Sequence, residues 1–355
     1  MQISIYFFEK TTDLGPGTPK YEYFINYYVR KLAELNYLCT QNRCSFEMIN
    51  RIIIRMKVLQ IVYAYYQKKS KELSSAENEL LFSLQKSYDL YHYLLILTLL
   101  LTDAEQKRQD LQKNKFLATD EELNPNLRFV NNRFAEQLRN NAALQKFMNE
   151  KGTLWSDEDS HLVRNLLNKI IKSDIYQEYL TSADTYDSDK EFWRKVFKNI
   201  IFEDDELLEL LEDKSIYWND DIGVVGTFVL KTIKRFESLN GSKQELLPMF
   251  RDDEDRYFAI HLLHRSILEG TDSNERINKQ IQNWDIERIA VIDLYIMQIA
   301  LAEVRNFPSI PVNVTYNEYI DLARYYSTPK SSHFINGILE AIVNDLKSEK
   351  LLFKN

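Results

Sequence analysis

Glycine and proline are scarce in this chain, with 8 glycines and 7 prolines spread over 355 residues. An average chain contains about 7% glycine and 5% proline. These two residues supply most tight turns and end most helices. No stretch of the sequence shows the sustained alternation of apolar and polar residues that marks a strand. The sequence therefore predicts an all-α fold with long helices.

Length and charge limit the function classes. A chain of 355 residues suggests two domains, or one domain with a large insertion. The formal net charge of -8 argues against binding of nucleic acid over the whole surface, but it leaves room for a local basic site. The most apolar runs, 91–101 and 289–302, are shorter than the ~20 residues that span a bilayer. We expect a soluble, cytoplasmic protein with no membrane partner.

The first 47 residues differ from the rest, because "TTDLGPGTPK" concentrates glycine and proline. Met48 then opens "MINRIIIRMKVLQIVYAYYQKKS", an arginine-bearing apolar helix. We expect 1–47 to be an N-terminal extension and translation to begin at Met48. The stretch after this first helix, up to about residue 108, is expected to form two more helices.

The end of the chain contains "HFINGILEAIV", in which apolar residues recur at the spacing of an amphipathic helix. Glycine lowers helix stability by about 1 kcal/mol relative to alanine, so the presence of Gly337 inside this helix needs an explanation. We expect Gly337 to let a neighbouring helix approach closely and Asn336 to bond a buried group. In the preceding helix, Thr315 and Glu318 have the spacing of a capping box.

Several motifs occur in the same order as in a known family. The shared features are a Gln-x-x-Tyr pair in the first helix, a Trp before Arg-Ile, an Asp opening an apolar run that ends in Glu, an Asn-Glu pair, and Phe-Ile-Asn-Gly-Ile-Leu. They correspond here to Gln60, Tyr63, Trp284, Arg288, Ile289, Asp293, Glu303, Asn317, Glu318 and residues 334–339. In these segments the chain resembles NusB-type transcription antitermination factors.

The resemblance implies a NusB-like helical bundle of two subdomains with an inserted helical block. It covers roughly 48–110 and 253–350, and we expect the N-terminal helices at 48–110 and the C-terminal subdomain at 253–355. Residues 111–252 have no counterpart and are expected to form a helical insertion of unknown role. One departure is Gln298, which stands where the family usually has arginine.

The resemblance also implies a function. NusB-type proteins bind boxA, a short single-stranded RNA element, together with the ribosomal protein NusE, and they support ribosomal RNA transcription within the RNA polymerase antitermination complex. Such binding needs cations for phosphates and flat groups for unpaired bases. The candidate RNA-binding residues are Arg51, Arg55, Lys57, Lys330, His333 and Phe334.

The remaining motif residues are expected to be structural. A charge in an apolar run needs a partner, so we expect Arg288 and Asp293 to belong to a buried polar network. The full structural set is Gln60, Tyr63, Trp284, Arg288, Asp293, Asn317, Glu318, Asn336 and Gly337.

An enzyme is the weakest alternative. The sequence has no glycine-rich phosphate loop and no recognisable catalytic set, so we expect no cofactor and no catalytic residues. His261 and His264 are three residues apart near several acids, but they lack a third ligand at helical spacing, so we expect no metal site. The stronger alternative is an all-helical protein-interaction scaffold that does not bind RNA.

Overall fold

The computed structural model describes residues 48–68, 72–152, 154–281, 290–328 and 330–352. Within these ranges all regular structure is helical and no strand occurs, which confirms the predicted all-α fold. The proposed extension at 1–47 lies outside the described residues. None of the described helices is both long enough and apolar enough to cross a membrane.

Fifteen α-helices follow one another in the described residues. In chain order they are α1 Arg51–Gln67, α2 Leu73–Lys113, α3 Asp120–Leu123, α4 Arg133–Arg139, α5 Ala142–Lys151, α6 Ser160–Ile171, α7 Asp174–Thr181, α8 Tyr186–Val196, α9 Asp205–Lys214, α10 Ile222–Arg235, α11 Asp253–Leu268, α12 Gly270–Gln280, α13 Val291–Asn306, α14 Val312–Tyr326 and α15 Ser331–Ser348. Short 3₁₀ turns occupy Asp157–Asp159 and Ser238–Lys243, and one π-helical turn, Phe197–Ile201, extends α8.

Many of these helices begin at a side-chain cap. Asn50 accepts a hydrogen bond from the backbone N–H of Ile53 and so starts α1. Helix α3 begins with a complete capping box formed by Thr119 and Glu122. The caps explain why short polar residues mark the helix starts in this sequence.

Helix α2 is a single helix of 41 residues, where two helices were expected. Its sequence contains no glycine or proline, so nothing in it forces a break.

The chain divides into two compact units. Among the described residues, the first unit contains 49–85 and 250–352, and the second contains 48 and 86–249. The predicted insertion, 111–252, starts 25 residues after the observed division inside α2. The domain bounds at 110/111 and 252/253 therefore stay a prediction. The two compact units are the division that the structure shows.

The first unit is built around α13, which packs against α1, α11, α12, α14 and α15. Apolar side chains such as Ile296, Ile299 and Leu301 are fully buried on it. Burial of this kind contributes roughly 1.5–3 kcal/mol for each large apolar side chain. Helix α13 thus fixes the positions of the helices that carry the motif residues.

The second unit has an aromatic core. Phe192 stacks on Tyr179 with ring centroids 4.2 Å apart, and Trp193 packs between Phe129 and Phe197. Asp189, buried beside this cluster, accepts a hydrogen bond of 2.8 Å from the Tyr179 hydroxyl. The unit therefore has a core of its own, as a separate domain does.

Candidate nucleic-acid interface

The two arginines of helix α1 differ in solvent exposure. Arg51, in the first turn, is half-buried, whereas Arg55 is buried one turn later. The Arg55 guanidinium binds Glu303 on α13 through two parallel hydrogen bonds, from Nε at 2.7 Å and from Nη2 at 2.8 Å. This bidentate geometry is the strongest form of an arginine–carboxylate pair.

Glu303 is the centre of a polar network. It also accepts hydrogen bonds from the hydroxyls of Thr315 at 2.9 Å and Tyr319 at 3.0 Å. Arg55 donates a third bond, of 3.1 Å, to Glu318. The capping-box interpretation of Thr315 and Glu318 was therefore wrong, because both side chains join this network and α14 already begins at Val312.

Burial alone would lower the pKa of Arg55, but the negative charges of Glu303 and Glu318 outweigh it and raise that pKa above its usual value. Arg55 is therefore a charged structural residue that joins α1, α13 and α14. Lys57 is also fully buried. Neither side chain is placed to contact a phosphate, so the structure corrects their assignment as RNA-binding residues.

Arg51 is partly exposed and remains a candidate RNA-binding residue. Its guanidinium carbon lies 4.9 Å from the ring centroid of Phe258, a cation–π contact that orients the side chain. The described residues give Arg51 no carboxylate partner. Its charge is therefore available to an anion.

The start of α15 carries the other surface candidates. Lys330 and His333 are exposed and Phe334 is half-buried. This region lies next to α1, because Gln60 on α1 donates a hydrogen bond of 3.0 Å to the hydroxyl of Tyr326, just before α15. Gln60 is nine residues after Arg51, which corresponds to about 13 Å along the helix axis. The candidate cations thus lie at two separate places in the first unit.

Three tyrosines, Tyr63, Tyr66 and Tyr295, lie near the end of α1; Tyr63 is buried and the other two are half-buried. Tyr295 on α13 stacks on Tyr66 with centroids 5.2 Å apart and meets the edge of Tyr63 at 5.8 Å. Gln298 donates hydrogen bonds to the Tyr66 hydroxyl at 3.0 Å and to the carbonyl of Ser266 at 2.6 Å. Gln298, which stands where the family usually has arginine, therefore joins α13 to α1 and α11 through these bonds.

Gly270 is a tightly packed glycine that the sequence pattern did not indicate. A Cβ at this position would overlap the Tyr66 hydroxyl and lie 2.8 Å from Nε2 of Gln298. Gly337 is the opposite case: it is exposed, and an added Cβ would meet nothing within 4 Å. The expectation that Gly337 permits a close helix approach was wrong.

The other motif residues divide between interior and surface. Asp293 is buried; burial raises its pKa, and hydrogen bonds with Ser327 and Ser331 oppose that rise. Asn336 is half-buried and Asn317 is exposed. Trp284 and Arg288 lie outside the described residues, so the pairing expected between Arg288 and Asp293 stays a prediction.

The two histidines considered as metal ligands have other neighbours. His264 Nε2 lies 2.8 Å from Glu77 Oε2, and His261 stacks on Tyr257 with centroids 5.0 Å apart. The part of the chain that the structure describes has no group of three or more His, Cys, Asp or Glu residues that could hold a metal ion.

Comparisons with known proteins match the part of the chain that carries the C-terminal motifs. The family model described as "NusB family" matches residues 227–344, a range that begins in α10 of the second unit. The transcription antitermination protein NusB of Salinibacter ruber is 35% identical over 132 residues, which are 36% of this chain and 82% of that protein. The proteins of the same name from Chloroherpeton thalassium and Koribacter versatilis are 38% and 36% identical over 29% and 28% of this chain, and over 49% and 68% of their own lengths. No solved structure matches.

Proposed function

The chain belongs to the NusB family, and on this premise we propose that it is a transcription antitermination factor that binds boxA-type single-stranded RNA together with the ribosomal protein NusE. In this role it acts within the RNA polymerase antitermination complex in the cytoplasm and supports ribosomal RNA transcription. Membership of a family of transcription factors also confirms the prediction that the chain is not an enzyme.

The similarity to the Salinibacter ruber protein carries this proposal, because it covers 82% of that protein at 35% identity. The matched residues include α13, α14 and α15, which hold Glu303, Glu318 and the candidate cations of α15. The family match therefore includes Lys330, His333 and Phe334, whereas α1, which carries Arg51, lies outside the matched range.

The RNA surface that we propose consists of four residues in the first unit. Arg51 and Lys330 bind phosphates, and His333 adds a hydrogen-bond donor beside Lys330. Phe334 offers a partly exposed ring on which an unpaired base can stack. The buried network of Arg55 and Glu303 holds α1 and α14 in place, and so sets the distance between the two groups of cations.

The test is a fluorescence-anisotropy titration of the full chain with a boxA-type RNA, with and without NusE. We expect NusE to tighten binding, and each of Arg51→Ala, Lys330→Ala and Phe334→Ala to weaken it about tenfold, the effect of losing roughly 1–3 kcal/mol of stacking or charge-assisted contact. Lys198→Ala is the matched control, because Lys198 is an exposed lysine in the second unit.

A folded protein that binds no boxA-type RNA, with or without NusE, would contradict the proposal. Partner proteins that stay bound to the chain after nuclease treatment would then favour a protein-interaction scaffold. Equal loss in the Lys198→Ala control would show that the cations act without a defined site.

A further inference from the structure

A compact loop closes the end of α2 in the second unit. We call residues 110–126 the apolar loop. Gln109, the residue before it, donates a hydrogen bond of 3.2 Å from Nε2 to the carbonyl of Asn126 at its other end. Inside the loop, Lys115 Nζ lies 2.5 Å from a carboxylate oxygen of Glu122, and the capping box of Thr119 fixes the short helix α3. The segment, which includes the last turn of α2 and the whole of α3, is therefore closed and internally bonded.

Despite this internal order, the apolar loop turns its large apolar side chains outward. Phe116 is 100% exposed, Leu117 84%, Leu111 73% and Leu123 49%. Single exposed apolar residues are normal on protein surfaces, but a group held outward by a fixed backbone marks an interaction site. The occupant must therefore offer apolar surface.

Charges on either side of Phe116 and Leu117 indicate which occupant fits. Lys113 precedes them in the last turn of α2, and Asp120 and Glu121 follow them at the start of α3. The described residues contain no ion pair for any of these three side chains. The loop thus has an apolar centre with an unpaired positive charge before it and two unpaired negative charges after it.

We propose that the apolar loop is a self-association site, occupied by the apolar loop of a second copy of this chain. A two-fold interface brings the same patch of both copies together, so that each residue i meets residue j of the other copy and the reverse. In that arrangement Phe116 and Leu117 of the two copies pack together, and Lys113 of each copy faces Asp120 and Glu121 of the other. The inference does not depend on the proposed RNA function.

The exposed area predicts a weak dimer. The four apolar side chains expose on the order of 500 Å² in one copy, taking somewhat less than 200 Å² for each fully exposed large side chain. Pairing two such patches removes about 1,000 Å², the low end for specific interfaces, where association is transient. We therefore expect a reversible dimer whose population depends on protein concentration.

Sedimentation equilibrium of the full chain over a range of concentrations tests this proposal. We expect the wild-type protein to shift from monomer to dimer, and Phe116→Asp or Leu117→Asp to raise the dimer dissociation constant at least tenfold. Leu239→Asp is the matched control, because Leu239 is 95% exposed in the same unit but lies outside the apolar loop. Circular dichroism checks that every variant keeps its helices.

Charge exchange tests the pairing itself. Lys113→Glu alone and Asp120→Lys/Glu121→Lys alone should each weaken association, whereas an equimolar mixture of the two variants should restore it. A wild-type protein that stays monomeric at all concentrations would overturn the proposal. So would a dimer that survives Phe116→Asp, or a mixture that associates no better than its components.

Discussion

Glu303 neutralises a buried cation, and its charge is what keeps Arg55 in the interior. We expect Glu303→Gln to lower the free energy of unfolding by about 3–5 kcal/mol, because removal of one partner leaves the other charge buried without compensation. Urea denaturation followed by circular dichroism measures this change.

Glu318→Gln is the control for this prediction. Glu318 is partly exposed and makes a single bond to Arg55 at 3.1 Å. Its loss should lower the free energy of unfolding by about 1 kcal/mol or less, as for other solvent-accessible pairs. Equal effects of the two variants would show that Glu303 is not the main partner of Arg55.

His92 in the second unit makes stability depend on pH. Burial lowers its pKa to about 4, although a hydrogen bond to the carbonyl of Tyr88 and the charge of Asp89 oppose the change. Lys151 lowers the pKa further, and Phe147 covers the ring with centroids 3.9 Å apart. The imidazole is therefore neutral in the folded protein at pH 5.

The unfolded chain takes up a proton on His92 below pH 6.5, whereas the folded chain does so only near pH 4. Stability contributed by the neutral imidazole is thus lost as pH falls from about 6.5 to 4, and at pH 5 the loss amounts to roughly 2 kcal/mol. Urea midpoints at pH 7.5 and 5 should fall less in His92→Phe than in wild type. The exposed His333→Gln control should keep the wild-type difference.

At the scale of helices, two glycines allow opposite predictions. Gly270 begins α12 where Tyr66 and Gln298 leave no room for a Cβ, and both side chains are held by their own contacts. We expect Gly270→Ala to lower the free energy of unfolding by about 1–2 kcal/mol through overpacking. Gly337→Ala, in open space on α15, should raise it by about 0.5–1 kcal/mol through helix propensity.

Thermal or urea unfolding of these two variants measures the difference. If Gly337→Ala is also destabilising, the surface of α15 at that position is covered in the folded protein. If Gly337→Ala keeps its stability but no longer binds RNA, the added methyl group collides with bound RNA.

Helices could be predicted from the sequence because their signals are local. The apolar spacing of α15 and the arginine-bearing start of α1 both correspond to helices in the structure. The partners of these helices could not be predicted in the same way. Arg55 and Glu303 are 248 residues apart, and nothing near either residue indicates that they pair.

The family resemblance identified a C-terminal segment that the family model also matches, but the contacts of individual side chains follow from packing. Arg51 and Arg55 look alike in "RIIIR", yet one helical turn separates a half-exposed cation from a buried one. Gly337 interrupts an apolar helix but lies in open space, whereas the crowded glycine is Gly270, whose neighbours come from α1 and α13. Side-chain roles depended on packing between distant segments.

The whole molecule carries a net charge of -8, so an RNA site on it must work against the overall repulsion of phosphates. The proposed surface offers two arginine or lysine cations, Arg51 and Lys330, with His333 as a third donor. Nucleic-acid binding by so few cations releases few counterions, and its salt dependence should be correspondingly shallow.

We expect the logarithm of the RNA association constant to fall with the logarithm of salt concentration with a slope of about -1.5 to -2, since each phosphate contact to a single strand contributes about -0.7. Lys330→Ala should make the slope shallower by about 0.7, and Lys198→Ala should leave it unchanged. The titrations use the full chain without NusE, whose own cations would add to the slope. A slope steeper than about -4 would require several further cations, and would move the RNA site beyond the surface formed by α1 and the start of α15.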